Sequence, residues 1–231
     1  MVTRTSGTVS KALDIIDIFV ESTEELGVGQ LSDQTGINKS TVVRLCATLE
    51  SRGYLQRGSN LGRYRLGPRT VALARAYLKQ FNLEDVVRPV LSALRDATNE
   101  SASFYVPDKD ARICLFRENS HERIRHHVDE GERLPFREGV VGRVLLAYSG
   151  EQGDEYDSIR DQGYLNAEGR NPFTASVAAP VLDRNHCLIG AIVVSGPSSR
   201  FNGEKRQQAL KLVLQACTKL SGILSDSGIN R

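Results

Sequence analysis

Gly36 and Asn38 stand two residues apart between two apolar-periodic stretches, and together they constrain the N-terminal part of this chain more than any other feature. Glycine reaches the left-handed conformation that ends a helix, and asparagine caps the start of the helix that follows. Upstream, Val9, Ala12, Leu13, Ile16, Phe19 and Val20 recur at helical spacing and predict an amphipathic helix ending near Glu21 to Glu25. A short second helix is expected over Gln30 to Thr35. Downstream, Val42, Leu45, Cys46 and Leu49 lie on one helical stripe that should pack on the first two helices. Helix, glycine turn and capped helix form a helix-turn-helix.

The opposite face of the third helix carries Ser40, Arg44, Ala47, Thr48 and Ser51, with Lys39 and Thr41 near its N-terminal edge. Small residues allow close approach, hydroxyls suit phosphates, and an arginine can reach a guanine edge in a major groove. Any surface helix has a polar outer face, so the surrounding charge matters. From Lys39 to Lys79 there are nine basic residues and one acid, Glu50, whereas Asp14 to Asp33 holds six acids and no base. The overall charge of +2 hides this segregation. A basic segment of this kind is the footprint a polyanion needs, although chance clustering on a solvated surface would look the same.

Two short alternating segments, Gly53 to Arg57 and Gly62 to Gly67, flank the turn-like Gly58-Ser59-Asn60-Leu61 and predict a β-hairpin. Arg57, Arg63 and Arg65 fall together on it, as a phosphate-gripping wing requires. A hairpin that merely completes the small core is the alternative.

The stretch TGINKSTVVRLCATLESRGYL, followed by GRYRLGPRTVALA, closely resembles the N-terminal domain of IclR-type regulators. Within that resemblance Ser40, Thr41 and Arg44 match the family's recognition-helix motif. It implies a mainly α winged helix-turn-helix whose DNA contacts are Lys39, Ser40, Thr41, Arg44, Thr48, Arg57, Arg63 and Arg65.

Pro68 suits the first turn of a further helix, along which Val71, Ala74, Leu78 and Phe81 form a stripe. A second helix, Glu84 to about Asn99, contains Pro89, which should kink it or mark its start. Periodicity does not decide whether this connector packs on a partner subunit or on its own domain. Regulators resembling this one are dimers or dimers of dimers, which implies a homodimer or homotetramer.

From Ser101 the pattern is α+β: strand-like SASFYV, RICLFR and RIRHHV, a helix from about Val140 to Tyr148, a polar helical stretch, and a long helix from Gly203 to about Leu224. Ser176 to Leu182 and Leu188 to Ser195 are apolar on both faces and should be central strands. GVVGRVLLAY, SVAAPVLD and AIVVSGPSSR resemble words of the same family's GAF-like effector-binding domain. The resemblance then implies effector contacts at Val140, Val141, Asn166, Thr174, Ser176 and Ser195. Asn166 stands where an acid is common, Ser176 replaces the usual cysteine and Val193 a frequent serine, so effectors of relatives do not transfer.

Independently of the family, strand alternation in RIRHHV puts His126 on the apolar face with Ile124 and Val128. A buried imidazole needs a partner, and a ligand carboxylate or a backbone carbonyl would serve. The full expectation is a multidomain chain of 231 residues: a winged helix-turn-helix over 1–67, connector helices over 68–99, and an α+β GAF-like effector-binding and oligomerisation domain over 100–231.

Other classes fit less well. No apolar run reaches the roughly 20 residues of a bilayer span and no signal-type h-region opens the chain, so a cytoplasmic protein without a membrane partner is expected. The four cysteines, Cys46, Cys114, Cys187 and Cys217, lack metal or redox spacing, so no metal or other cofactor is called for and they should be reduced and mostly buried. No nucleophile elbow, zinc motif or phosphate loop is present, which speaks against a hydrolase-type enzyme. The only drawable dyads join Cys114 or Cys187 to His126 or His186. An architectural DNA binder without a ligand would be basic throughout, yet residues beyond Leu83 carry 19 basic and 21 acidic side chains. The expected partners are a palindromic double-stranded DNA operator and a small organic effector, a carboxylate or aromatic acid.

Overall fold

The computed structural model describes residues 6–22, 24–79, 83–169 and 173–226, apart from the side chains of Glu21 and Asp226. It divides into two compact units, Met1–Tyr77 and Leu78–Arg231.

In the first unit, α1 (Gly7–Glu21), α2 (Val28–Thr35) and α3 (Lys39–Ser51) surround one core. Three short strands, β1 (Leu26–Gly27), β2 (Leu55–Arg57) and β3 (Arg63–Leu66), form an antiparallel sheet in the order β1-β3-β2. Gly36 ends α2 at a left-handed φ of 69°, where a side chain would be strained. Asn38 Oδ1 then accepts the Thr41 N–H at 2.9 Å, a cap of about 1 kcal/mol. The start of α2 precedes its expected position because Gln30 Oε1 takes the Gly27 N–H at 3.0 Å, making Gln30 the third residue of the helix. Val42, Leu45 and Cys46 are buried with Ile15, Phe19 and Leu31, and Leu49 is half-buried. Burying each large aliphatic side chain contributes about 1.5–3 kcal/mol, which orients α3 with its polar face outward.

The next helix, α4 (Arg69–Lys79), begins in the first unit and has no buried side chain, although Leu78 is partly buried. Phe81, expected on its stripe, lies outside the described residues. Next, α5 (Leu83–Thr98) carries Pro89 in its interior, so the proline does not mark its start. Six antiparallel strands follow: β4 (Ser101–Asp108), β5 (Ala111–Glu118), β6 (Arg133–Pro135), β7 (Leu165–Glu168), β8 (Thr174–Leu182) and β9 (Leu188–Pro197). Their order is β6-β5-β4-β9-β8-β7, so β8 and β9 are interior strands. Leu91 and Leu94 of α5, with Val213 and Leu220 of α8 (Gly203–Asp226), cover one face through Phe104, Val177 and Ile192. The other face, with Tyr105, Ala178, Ala191 and Val193, is covered by α6 (Gly139–Tyr148) and α7 (Asp154–Gln162). Apolar cover on both faces explains the unbroken apolar runs of β8 and β9.

RIRHHV is not a strand. Its carbonyls are taken by side chains: Arg117 Nη2 donates to the His126 oxygen and Arg200 Nη1 to that of Ile124 at 2.8 Å. The expected alternation survives only in part. Val128 is buried and His126 half-buried, but Ile124 is 76% exposed.

Cys46, Cys114 and Cys217 are buried, and desolvation pushes their thiols up to about 11, 11 and 12. Cys187 is exposed.

Candidate functional site

Two sites can be built, one in each unit. On the outer face of α3, Lys39, Ser40, Arg44, Thr48 and Ser51 are exposed and Thr41 is half-buried. Ser40 Oγ donates to Asn38 Oδ1 at 2.9 Å, and Thr48 Oγ1 donates to the Arg44 carbonyl at 3.0 Å, so both hydroxyls already have a local partner. The Arg44 side chain is exposed, and its guanidinium makes no hydrogen bond or ion pair to another described residue. Its guanidinium retains all its donors for an outside acceptor.

On the hairpin the three arginines differ. Arg57 stacks over the Tyr64 ring, 4.5 Å from its centroid, and pairs with Glu50 at 3.1 Å. Arg63 Nη1 donates to the Glu25 carbonyl at 2.6 Å. The Glu25 carboxylate in turn accepts the Ser59 N–H at 2.8 Å, a bond that holds its carboxyl below the usual carboxylate range. Arg63 and Glu25 therefore lock the hairpin tip against the α1–α2 connection, while the Arg65 side chain is exposed and its guanidinium makes no hydrogen bond or ion pair to another described residue. The sequence put all three arginines in one role because it could not show that two of them hold the hairpin.

In the second unit a small cavity of about 40 Å³ opens on the α6 face of the sheet. His126, Val140, Val141, Thr174, Ser176 and Ser195 line it. Ser176 pairs directly with Ser195 across β8 and β9, so both hydroxyls project from the same face. Each serine is nine-tenths buried, and neither hydroxyl has a hydrogen-bond partner among the described residues. The first N–H groups of α6, at Gly139 to Val141, have no partner within their own helix. Asn166 is not brought into this set. It pairs with Val177, which lies on the opposite face under α5 and α8, while its neighbours Leu165 and Ala167 pack toward α6. One residue of register separates the two faces.

The cavity also takes Tyr105, Arg112, Val128, Leu134, Gly139 and Val193. Tyr105 and Arg112 are the polar members that sequence reasoning missed. For Arg112 the signal was the pair of arginines, Arg112 and Arg117, that bracket the apolar centre of RICLFR; Tyr105 carried none. Arg112 is 3% exposed, donates to the Pro135 carbonyl and lies over the Tyr105 ring at 5.7 Å. Arg117 is buried beneath the same wall, with Nη1 on Ser103 Oγ at 2.7 Å and Nε on Asn119 Oδ1 at 2.9 Å. Burial pulls its pKa below the usual arginine value.

The drawable cysteine–histidine dyads are not assembled as sequence reading drew them. His186 and Cys187 occupy an exposed turn before β9, and the Cys187 N–H is held by Asp183 Oδ1 at 2.8 Å. The Cys114 thiol, pushed up to about 11, is a poor nucleophile near neutral pH. Among the described residues no cluster of three or more metal-ligating side chains occurs, and no helix is long and apolar enough to cross a membrane.

Comparison with known proteins places both units. Residues 8–59 match the IclR helix-turn-helix domain, and residues 75–156 and 153–222 match the bacterial transcriptional regulator IclR C-terminal domain. The chain is 26% identical over 239 residues to the HTH-type transcriptional regulator BhcR of Paracoccus denitrificans, covering 92% of this chain and 85% of that protein. An IclR transcriptional regulator from Alicyclobacillus acidocaldarius superimposes with a TM-score of 0.82 at 20% identity, covering 96% of this chain and 100% of that one. An IclR homologue from Microbacterium hydrocarbonoxydans, solved with 4-hydroxybenzoate, superimposes with a TM-score of 0.79 at 18% identity, covering 95% and 100%.

Proposed function

The chain belongs to the IclR family of transcriptional regulators with an effector-binding C-terminal domain, and from that premise we propose that α3 reads an operator while the cavity beside α6 holds a small organic acid. The observation that carries the DNA half is the outward face of α3, where Arg44 has all its donors free beside the exposed Lys39. Residues 1–67 are the DNA-binding domain in this proposal, 68–99 the connector helices and 100–231 the effector-binding and oligomerisation domain. The protein acts in the cytoplasm and is not an enzyme.

Arg44→Ala should cost specific operator binding about 1–3 kcal/mol and relax preference at one base pair. Arg65→Ala should weaken all sequences alike and reduce the salt slope by about one. Fluorescence anisotropy on operator and scrambled duplexes over a salt series separates the two; unchanged operator affinity for Arg44→Ala would remove it from base reading. Arg57 and Thr48 remain proposed phosphate contacts, with Ser40 and Thr41 near the groove floor, and Arg63 acts mainly by fixing the wing.

For the effector half, the support is the cross-strand pair Ser176 and Ser195, whose side chains line the same cavity as the first turn of α6. Any acid that raises the melting temperature of the wild type should fail to do so for Ser176→Leu, which fills the cavity. An acid that binds this variant normally would show that the effector site lies elsewhere. His126, Val140, Val141 and Thr174 complete the proposed wall, whereas Asn166 has no place in it.

A homodimer or homotetramer is proposed from unpartnered apolar surface in the first unit. Val9, Leu13 and Val20 form an outward stripe on α1, and Val71 and Leu73 are exposed on α4. A palindromic operator read by two α3 helices about one helical turn apart needs such a dimer. The double change Leu13→Asp with Val71→Asp should shift the mass measured by light scattering toward a smaller species; an unchanged mass would place the interface elsewhere. Effector binding then acts on DNA affinity through its preference for one arrangement of the assembly.

A further inference from the structure

Val43 stands on α3 between the buried Val42 and the exposed Arg44, and it serves neither the core nor the charge of that surface. It is 47% exposed and lies outside the core that Val42, Leu45 and Cys46 build with Ile15 and Phe19. A valine placed there gains little from burial. It is also a weaker helix former than alanine, because its branched side chain loses freedom against the preceding turn. The surface around it is made of Lys39, Ser40, Arg44, Ala47 and Thr48, all exposed.

Helical spacing sorts this face into two edges. Successive residues turn by about 100°, so Val43 and Ala47 fall on one side of a midline through Ser40 and Ser51, and Arg44 and Thr48 fall on the other. One edge carries a guanidinium and a hydroxyl, whereas the other offers only methyl groups. Glu50, further round on the methyl side, is half-buried and paired with Arg57 at 3.1 Å. Val43 and Ala47 are one helical turn apart, about 6 Å along the axis, which is close to the rise of two base pairs.

In a major groove the methyl that a base pair presents is the C5-methyl of thymine, set among hydrogen-bond donors and acceptors. A donor or acceptor pressed against Val43 would lose its water and gain no partner. Lys39 and Arg44 flank the patch, which suits a polyanion and opposes an apolar protein surface. Taking α3 as the reading helix, we infer that Val43, with Ala47 beside it, reads a thymine methyl next to the base pair that Arg44 contacts. Each half-site then carries a thymine within about two base pairs of that position. Val43 thereby supplies a base preference that the charge of the domain cannot.

The test uses the full-length chain and a duplex that it selects from a random-sequence library, with binding read by fluorescence anisotropy. Each thymine of the half-site is replaced in turn by deoxyuridine, which removes the C5-methyl and keeps the hydrogen bonds of the pair. One such replacement, beside the position whose preference Arg44→Ala relaxes, should weaken wild-type binding about threefold to tenfold. 5-Bromodeoxyuridine, whose bromine fills the volume of the methyl, should restore it. The loss should be the same at about 50 and 200 mM salt, since no charge changes. Val43→Ala should lose a similar factor on the thymine duplex and become indifferent to deoxyuridine there, with its melting temperature no lower than that of the wild type. Wild-type binding that ignores every deoxyuridine near that position overturns the role of Val43, whatever the variant does. So does a Val43→Ala that remains as sensitive to deoxyuridine as the wild type. Both results leave Arg44 and α3 in place. If Arg44→Ala binds the selected duplex as well as the wild type does, or if no sequence is enriched, reading by α3 itself is overturned and the role of Val43 with it.

Discussion

Arg200→Ala should destabilise the C-terminal unit by about 3 kcal/mol. Its partner Glu100 is almost fully buried, and the pair is bidentate, with Nε on Oε1 at 2.6 Å and Nη2 on Oε2 at 2.8 Å. Removing the guanidinium leaves a carboxylate that water cannot easily reach, and that desolvation cost dominates over the attraction lost. The value is set toward the low end for broken buried pairs because about a quarter of the Arg200 side chain is exposed. A second consequence is local: Nη1 of the same residue holds the Ile124 carbonyl, so the loop bearing His126 loses one of its two arginine anchors. Urea unfolding of the two variants measures both effects. Glu100→Gln, which removes the charge and keeps much of the shape, should cost less than Arg200→Ala; the reverse order would mean that the buried charge is not the source of the penalty.

Gly142→Ala should be destabilising by about 3 kcal/mol, against the usual helix preference for alanine. An added methyl would lie 1.9 Å from the Phe136 carbonyl oxygen and 2.7 Å from Arg112 Nη1. The first of these is backbone at the entrance to α6, so the contact cannot be relieved by rotating a side chain. Gly222, in the interior of α8, has nothing within 4 Å of the equivalent methyl. Gly222→Ala should therefore stabilise the chain by up to about 1 kcal/mol. Thermal denaturation of the pair gives opposite signs if packing decides, and the same sign if only helix propensity does.

The first unit was largely legible because its determinants are local. Gly36, Asn38 and the stripe of Val42, Leu45 and Cys46 act within a few residues of one another, and a helix and its cap follow from that range of interaction alone. The hairpin was legible for the same reason. The division of labour among its arginines was not, since Glu25 reaches Ser59 across 34 positions of sequence.

In the second unit the apolar runs of β8 and β9 marked them as interior strands, but nothing local reveals which residues share a face with a cavity. Asn166 and Ala167 differ by one place in sequence and by a whole layer in space, because β7 joins β8 with Asn166 opposite Val177. RIRHHV has the alternation of a strand, yet its carbonyls go to Arg117 and Arg200, nine and 76 residues away. Arg112 looked like an ordinary strand charge until the fold closed α6 over it. The amino-acid order by itself determined the helix-turn-helix, its charge and the family, since caps, periodicity and motifs are short-range. Strand register and long-range arginine contacts decided the pocket, because these depend on which distant backbone groups are left to satisfy once the chain has folded.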